Sequence, residues 1–113
     1  MKVIHAAISR QFIWVTSPAL MQETQKVLRS DKFGVTAEEI QKLTRALWEV
    51  ADIIDPIHTL DFIKRNPPDN RVLECAAEGR CSLIVTGDRR DLLSLGRYRN
   101  IDIIKAREFL NRI

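Results

Sequence analysis

Cysteine is scarce in this chain. There are two, Cys75 and Cys81, and they do not make a Cys-x-x-Cys pair. The two histidines, His5 and His58, lie far from them with no ligand spacing. A zinc site and a disulfide framework are therefore not expected. The cysteines read as reduced, buried small hydrophobes, which suits a reducing compartment. Neither histidine has a nearby acid to orient it, so a general base is not expected from them. Long apolar runs are missing as well. None approaches the ~20 residues of a membrane-spanning helix, and the opening MKVIHAAISRQ has no extended apolar core before a small-residue cleavage site. We expect a cytoplasmic chain with no membrane partner. Aromatic residues are few, at 6%, and neither Trp14 nor Trp48 has a second aromatic spaced to form a base-stacking platform. Both read as core or interface residues. Repeats, low-complexity tracts and linkers are absent too, so the 113 residues form a single domain, 1–113, with one modest core.

What is present is charge, unevenly spread. From Asp31 to Asp61 there are seven acids against three Lys or Arg, and from Asp88 to the end seven Lys or Arg against four acids. The net charge of +3 says less than this asymmetry. Lys64, Arg65 and Arg71 flank one segment, and Arg89, Arg90, Arg97 and Arg99 crowd another. A basic face of this kind attracts a phosphate backbone, although most such runs are simply solvated.

Apolar residues alternate between two periods. Val3, Ile4, Ala7 and Ile8 share a helical face. FIWVT, residues 12–16, is a continuous apolar run, as in a strand buried on both faces. Ser17 and Pro18 then start a helix, the serine as N-cap and the proline at the first helical position. Its inner stripe is Leu20, Met21, Thr24, Val27 and Leu28. Thr36 to Glu39 is a capping box opening a helix with Ile40, Leu43, Leu47 and Val50 inward. A short strand follows at 52–55, then an irregular stretch from Pro56 to Pro68. The next helix turns Val72, Leu73, Ala76 and Ala77 inward and stops at Gly79. SLIVT, residues 82–86, is a second buried strand. A short helix at 92–95, a strand at 101–104 and a helix at 106–112 complete the chain. Strands separated by helices imply crossovers, hence an α/β fold: a three-layer αβα arrangement around a parallel sheet. Ligands in such sheets bind beyond the carboxyl ends of the strands.

Three carboxylates fall where that rule points. Glu23 borders the apolar stripe of the helix after FIWVT. Asp69 opens the helix whose inward face begins at Val72. Asp88 follows SLIVT directly, with Gly87 making the tight turn, and Asp91 lies one helical turn further on. Singly, each has a bland explanation: Asp69 and Asp88 as N-caps, Glu23 as a surface partner of Lys26. Together they gather negative charge at one sheet edge, which repels itself unless a cation neutralises it. Mg²⁺ or Mn²⁺ takes such oxygen ligands and retains waters. A hydrated metal there activates water against a phosphodiester.

These residues resemble a known family. SPALMQETQKVL, PPDNRVLECAAEG, SLIVTGDRRDLLSLG and IDIIKAREFL, in that order, look like the PIN domain. More narrowly, they are similar to its branch of toxin components of toxin–antitoxin pairs. The likeness runs from about Ala6 to the end. It implies a Mg²⁺- or Mn²⁺-dependent endoribonuclease with catalytic, metal-binding acids at Glu23, Asp69 and Asp88 and a supporting acid at Asp91. Lys64, Arg65, Arg89 and Arg90 are then candidate contacts to RNA. It also implies a homodimer or higher oligomer, and a cognate antitoxin.

One departure has consequences. The family begins with a strand that ends in an aspartate, a central metal ligand. Here the chain starts near the end of the helix that would follow that strand. Aligning MKVIHAAIS to the strand would put His5 near the aspartate position. Only Ser9, Arg10 and Gln11 would then precede FIWVT, too few for a parallel crossover. We therefore expect a PIN-like domain truncated at the N-terminus, unless the gene start was taken too late. The absent strand would lie centrally, between FIWVT and SLIVT. Without it those strands close up, or a second copy donates an edge, because buried backbone groups must be paired. The metal site would also be incomplete. The alternative function is then an inactive remnant that oligomerises and binds an antitoxin or RNA without cleaving it.

Overall fold

The computed structural model describes residues 2–30, 34–87 and 90–113. The helical periodicities appear as α1 (Lys2–Ile8), α2 (Pro18–Leu28), α3 (Ala37–Val50), α4 (Asn70–Glu78), α5 (Arg90–Leu95) and α6 (Ala106–Arg112). The strands are β1 (Val15–Thr16), β2 (Asp52–Ile53), β3 (Leu83–Thr86), β4 (Arg97–Tyr98) and β5 (Ile101–Lys105). The capping signals do what their chemistry requires. The Ser17 hydroxyl accepts from the Leu20 amide at 3.2 Å, and that of Thr36 from the Glu39 amide at 3.2 Å. Each satisfies a donor that the first turn of a helix leaves open.

The expected parallel sheet is present, but in two pieces. β1 pairs with β2 in parallel, Val15 opposite Asp52 and Thr16 opposite Ile53. β3 pairs with β5 in parallel, from Leu83 opposite Asp102 to Thr86 opposite Lys105. β4, absent from the sequence-based expectation, returns antiparallel onto the other side of β5, giving the order β3-β5-β4. Two residues are too short a run for alternation to reveal, and the hairpin turn relies on Arg99 at a left-handed φ of 55°, where no glycine marks it. FIWVT also pairs over less of its length than its apolarity predicts. Only Val15 and Thr16 are in the ladder, and Ile13 is 83% exposed.

Both β1 and β3 are edge strands of their sheets. A cavity of about 800 Å³ lies between them, lined by Trp14, Val15 and Thr16 on one side and by Leu83, Ile84 and Val85 on the other. α1, α4 and α6 supply further lining through Ile4, Ala76 and Phe109. The core is divided along the same line. One cluster, Leu73, Ile84, Leu92, Ile101 and Ile103 among others, packs around the three-stranded sheet. The other, Ala7, Met21, Leu28 and Leu47, lies among α1, α2 and α3. Val27, expected inward, is 49% exposed because it borders this open cavity rather than a filled core.

α4 ties the halves together, and Gly79 shows how closely. It has an ordinary negative φ, −78°, so backbone freedom is not why glycine is here. A Cβ on it would stand 2.7 Å from Val15 Cγ1 and 2.9 Å from the Cys75 carbonyl oxygen. Gly79→Ala should therefore cost about 1–3 kcal/mol through overpacking. Urea denaturation checks this, and unchanged stability would mean that the α4–β1 contact yields freely.

Candidate functional site

Asp69 is the most buried of the described candidate acids. Two prolines hold Pro67–Asp69 in a single 3-10 turn, and its last residue is delivered to the start of α4. The Asp69 amide donates to the Asn66 carbonyl at 3.0 Å. The side chain is 2% exposed and makes no capping hydrogen bond to α4. The bland reading of this residue, an N-cap, is thus not what the fold uses it for. Its carboxyl is held above the usual aspartate range, first by burial and then by the negative charge of Asp91. Desolvation and a like charge both disfavour the ionised form.

Asp91 stands in the first turn of α5, half-buried. The structure thus brings Asp69 and Asp91 into electrostatic contact. Glu23 is half-buried on α2 and lines the inter-sheet cavity, together with Thr16, Thr86 and Gly87. Those last two residues immediately precede position 88. Asp88 and Arg89 themselves lie outside the described residues. Among the described residues, no group of three or more His, Cys, Asp or Glu stands ready to hold a metal ion. Of the described acids, Asp69 and Asp91 are the two whose charges bear on each other.

The wall beside Asp69 is built by α4. Asn70, Glu74 and Glu78 recur every four residues and so form one stripe, and all three accept backbone amides from the irregular stretch 57–63. Glu78 Oε1 and Oε2 take the Ile57 amide at 3.0 Å, and Oε1 takes that of His58 at 2.9 Å. These bonds hold its carboxyl below the ordinary glutamate value. Glu74 accepts from Leu60 at 2.7 Å and pairs with Arg71 at 2.7 Å. Asn70 is the most engaged. Its Oδ1 accepts from Phe62 at 3.1 Å and Ile63 at 2.8 Å, and its Nδ2 donates to the Ile63 carbonyl at 2.9 Å and the Pro67 carbonyl at 3.1 Å. A loop without a ladder of its own is thereby given one by side chains. Sequence reasoning missed this role. The i, i+4, i+8 spacing of polar residues on a helix that also buries Leu73 and Ala76 was its visible signal.

Lys64 and Arg65 lie at the exposed end of that loop, Lys64 paired with Asp61. Arg90, also exposed, begins α5. The cysteines are free, as expected, and burial pushes the Cys75 thiol up to about 12, with the neighbouring Cys81 adding to the effect. A thiol that stays protonated at neutral pH is a packing residue, not a nucleophile.

A mixed helix and strand fold, small parallel sheets, and acids at the starts of α4 and α5 define an α/β protein. The PIN domain family model matches residues 1–90, and the chain belongs to that family. The match takes in Glu23, Asp69 and Asp88 and stops one residue short of Asp91. Neither a curated protein nor a solved structure matches the chain. Among the described residues no helix is long and apolar enough to cross a membrane.

Proposed function

We propose that this chain is a Mg²⁺- or Mn²⁺-dependent endoribonuclease, the toxin component of a toxin–antitoxin pair, acting in the cytoplasm. The observation that carries the reading is the buried carboxyl of Asp69 held beside Asp91 in a chain of the PIN family. Folding places two like charges together at a cost, and such costs concentrate at functional sites. Asp69 and Asp91 would hold the cation, joined by Asp88 and by Glu23 from the α2 side. A cation so held would supply positive charge to a phosphodiester and help a water attack it. Asp69 keeps its geometry because the prolines and Asn70 leave its turn no freedom. Lys64, Arg65, Arg89 and Arg90 would steer the RNA backbone.

The divided sheet supports a second part of the proposal. Two strand edges face one cavity, and an edge strand is a template for another chain. A strand takes roughly 160 Å³ per residue, from its rise, lateral spacing and sheet-to-sheet distance, so a cavity of about 800 Å³ suits some five extended residues. We read this opening as where a second copy completes the fold, giving the homodimer or higher oligomer, with the cognate antitoxin bound to the assembled protein. The same opening favours the rival reading, an inactive module that binds an antitoxin or RNA without cutting.

One experiment separates them. Mn²⁺ is titrated by calorimetry beside cleavage of a mixed RNA pool, with wild type, Asp69→Asn and Asp88→Asn. Metal binding and cleavage should both appear in the wild type and both fall at least 100-fold in each variant. A wild type that cuts nothing above background removes the catalytic reading, and a monomer of 13.0 kDa by light scattering removes the oligomer.

A further inference from the structure

The loop pinned by α4 leaves two large apolar side chains exposed, Ile57 and Phe62, and Phe62 is the aromatic one. Phe62 is 56% exposed, although its backbone is pinned, its amide and that of Ile63 both donating to Asn70 Oδ1. An exposed phenylalanine on a free loop is ordinary. This one is backed by a second ring. Tyr98, buried on β4, lies with its centroid 5.3 Å from that of Phe62 at 59°, a favourable tilted arrangement. The Arg99 guanidinium carbon stands 5.2 Å from the Tyr98 centroid, within reach of a cation–π contact. Lys64 and Arg65 follow Phe62 in the chain, and Arg97 precedes Tyr98. Lys64 and Arg97 face Asp61 and Asp102 in pairs whose side chains are at least half exposed. Exposed pairs are weak, so a phosphate displaces the carboxylates readily. The result is an exposed ring backed by a second ring and by an arginine, with further basic residues next to it in the chain, and the residue that anchors its loop follows Asp69 directly.

We infer that Phe62, backed by Tyr98 and Arg99, is a stacking platform for an unpaired base of single-stranded RNA. The choice of RNA rests on the ribonuclease reading above, while the platform itself rests on the ring geometry. A ring held still loses little freedom when a base stacks on it, and stacking tolerates any base because each has a π-face. Duplex RNA hides its bases and offers only its backbone and 2′-hydroxyls. The platform thus makes single strands the preferred substrate class and sets one nucleotide beside the Asp69 end of α4.

The test is fluorescence anisotropy in EDTA, where binding is read without cleavage. The probes are a labelled uridine 12-mer, the same length with abasic positions, and a duplex of that length. Phe62→Ala should weaken uridine 12-mer binding by roughly 5- to 100-fold, the range for loss of one stacked base. Phe62→Trp should preserve it, and both variants should bind the abasic strand and the duplex as wild type does. Equal affinity of wild type and Phe62→Ala for the 12-mer overturns the platform, as does an equal loss on the abasic strand or no RNA binding at all. So does an acidic peptide that binds in a Phe62-dependent manner while RNA does not, which would assign the surface to a protein. Failure of the nuclease reading looks different: no Mn²⁺-dependent cleavage, with the Phe62 dependence in EDTA intact.

Discussion

Replacing Asn70 with alanine is expected to destabilise the fold by about 3–4 kcal/mol, a large part of the roughly 5–15 kcal/mol a domain of this size has. The residue is 1% exposed. Its side chain accepts two backbone amides and donates to two backbone carbonyls, at 2.8 to 3.1 Å. Each bond adds about 1 kcal/mol net, but the loss is larger where a buried partner is left bare. Ile63, whose amide and carbonyl both depend on Asn70, is itself 7% exposed, so water does not easily take over. Asn70→Asp is a sharper probe. It keeps the acceptor, loses both donated bonds and adds a buried negative charge beside Asp69. It should cost at least as much as the alanine at neutral pH and less in acid. Urea unfolding measures both, and amide exchange at Phe62 and Ile63 localises the effect. A loss under about 1 kcal/mol for Asn70→Ala would mean the loop is held by Glu74 and Glu78 alone.

Asp69→Asn is expected to act in the opposite direction on stability while abolishing metal response. The carboxyl sits above its ordinary value because of burial and Asp91. The folded protein therefore holds that proton more tightly than the unfolded chain does. Its contribution to stability is fully present below the unfolded value of about 3.9. It is lost as pH rises through the raised folded value. At neutral pH without a cation the wild type bears the cost of a buried, repelled charge. The asparagine variant does not, and should melt higher. The difference should vanish at acid pH, where the wild type is itself neutral. Added Mn²⁺ should reverse the order. A ligand at 100 times its dissociation constant stabilises by about 2.7 kcal/mol, and only the wild type should gain it. Thermal melts across pH, with and without Mn²⁺, read all of this. A variant that melts lower than wild type in EDTA at pH 7 would show that the carboxylate is net stabilising where it lies.

Much of the local structure was legible because it is local. Ser17-Pro18 and Thr36 announce helix starts through donors that any helix must satisfy, and the stripe around Leu73 and Ala76 announces a buried face. Asp69 was legible by place, as an acid opening a helix in a chain of alternating elements. Its burial and its coupling to Asp91 were not, since both depend on how α5 packs back. The β4 hairpin was hidden by its brevity, and Phe62 beside Tyr98 by distance along the chain. A platform made from a loop and a two-residue strand has no period to read.

The amino-acid sequence by itself determined the helices with their caps, the apolar strands, the likeness to the PIN family and the identity of the acids. These rest on spacing and side-chain chemistry, which act over one or two helical turns. Only the tertiary structure decided that the sheet is split, with β1 and β3 as edges facing an open cavity. It alone decided that Asp69 is buried beside Asp91 and that Asn70 fastens the Phe62 loop. The physical reason is common to all three. Strand pairing, desolvation and side-chain bonds to a distant loop depend on which surfaces meet, and residues many positions apart settle that together.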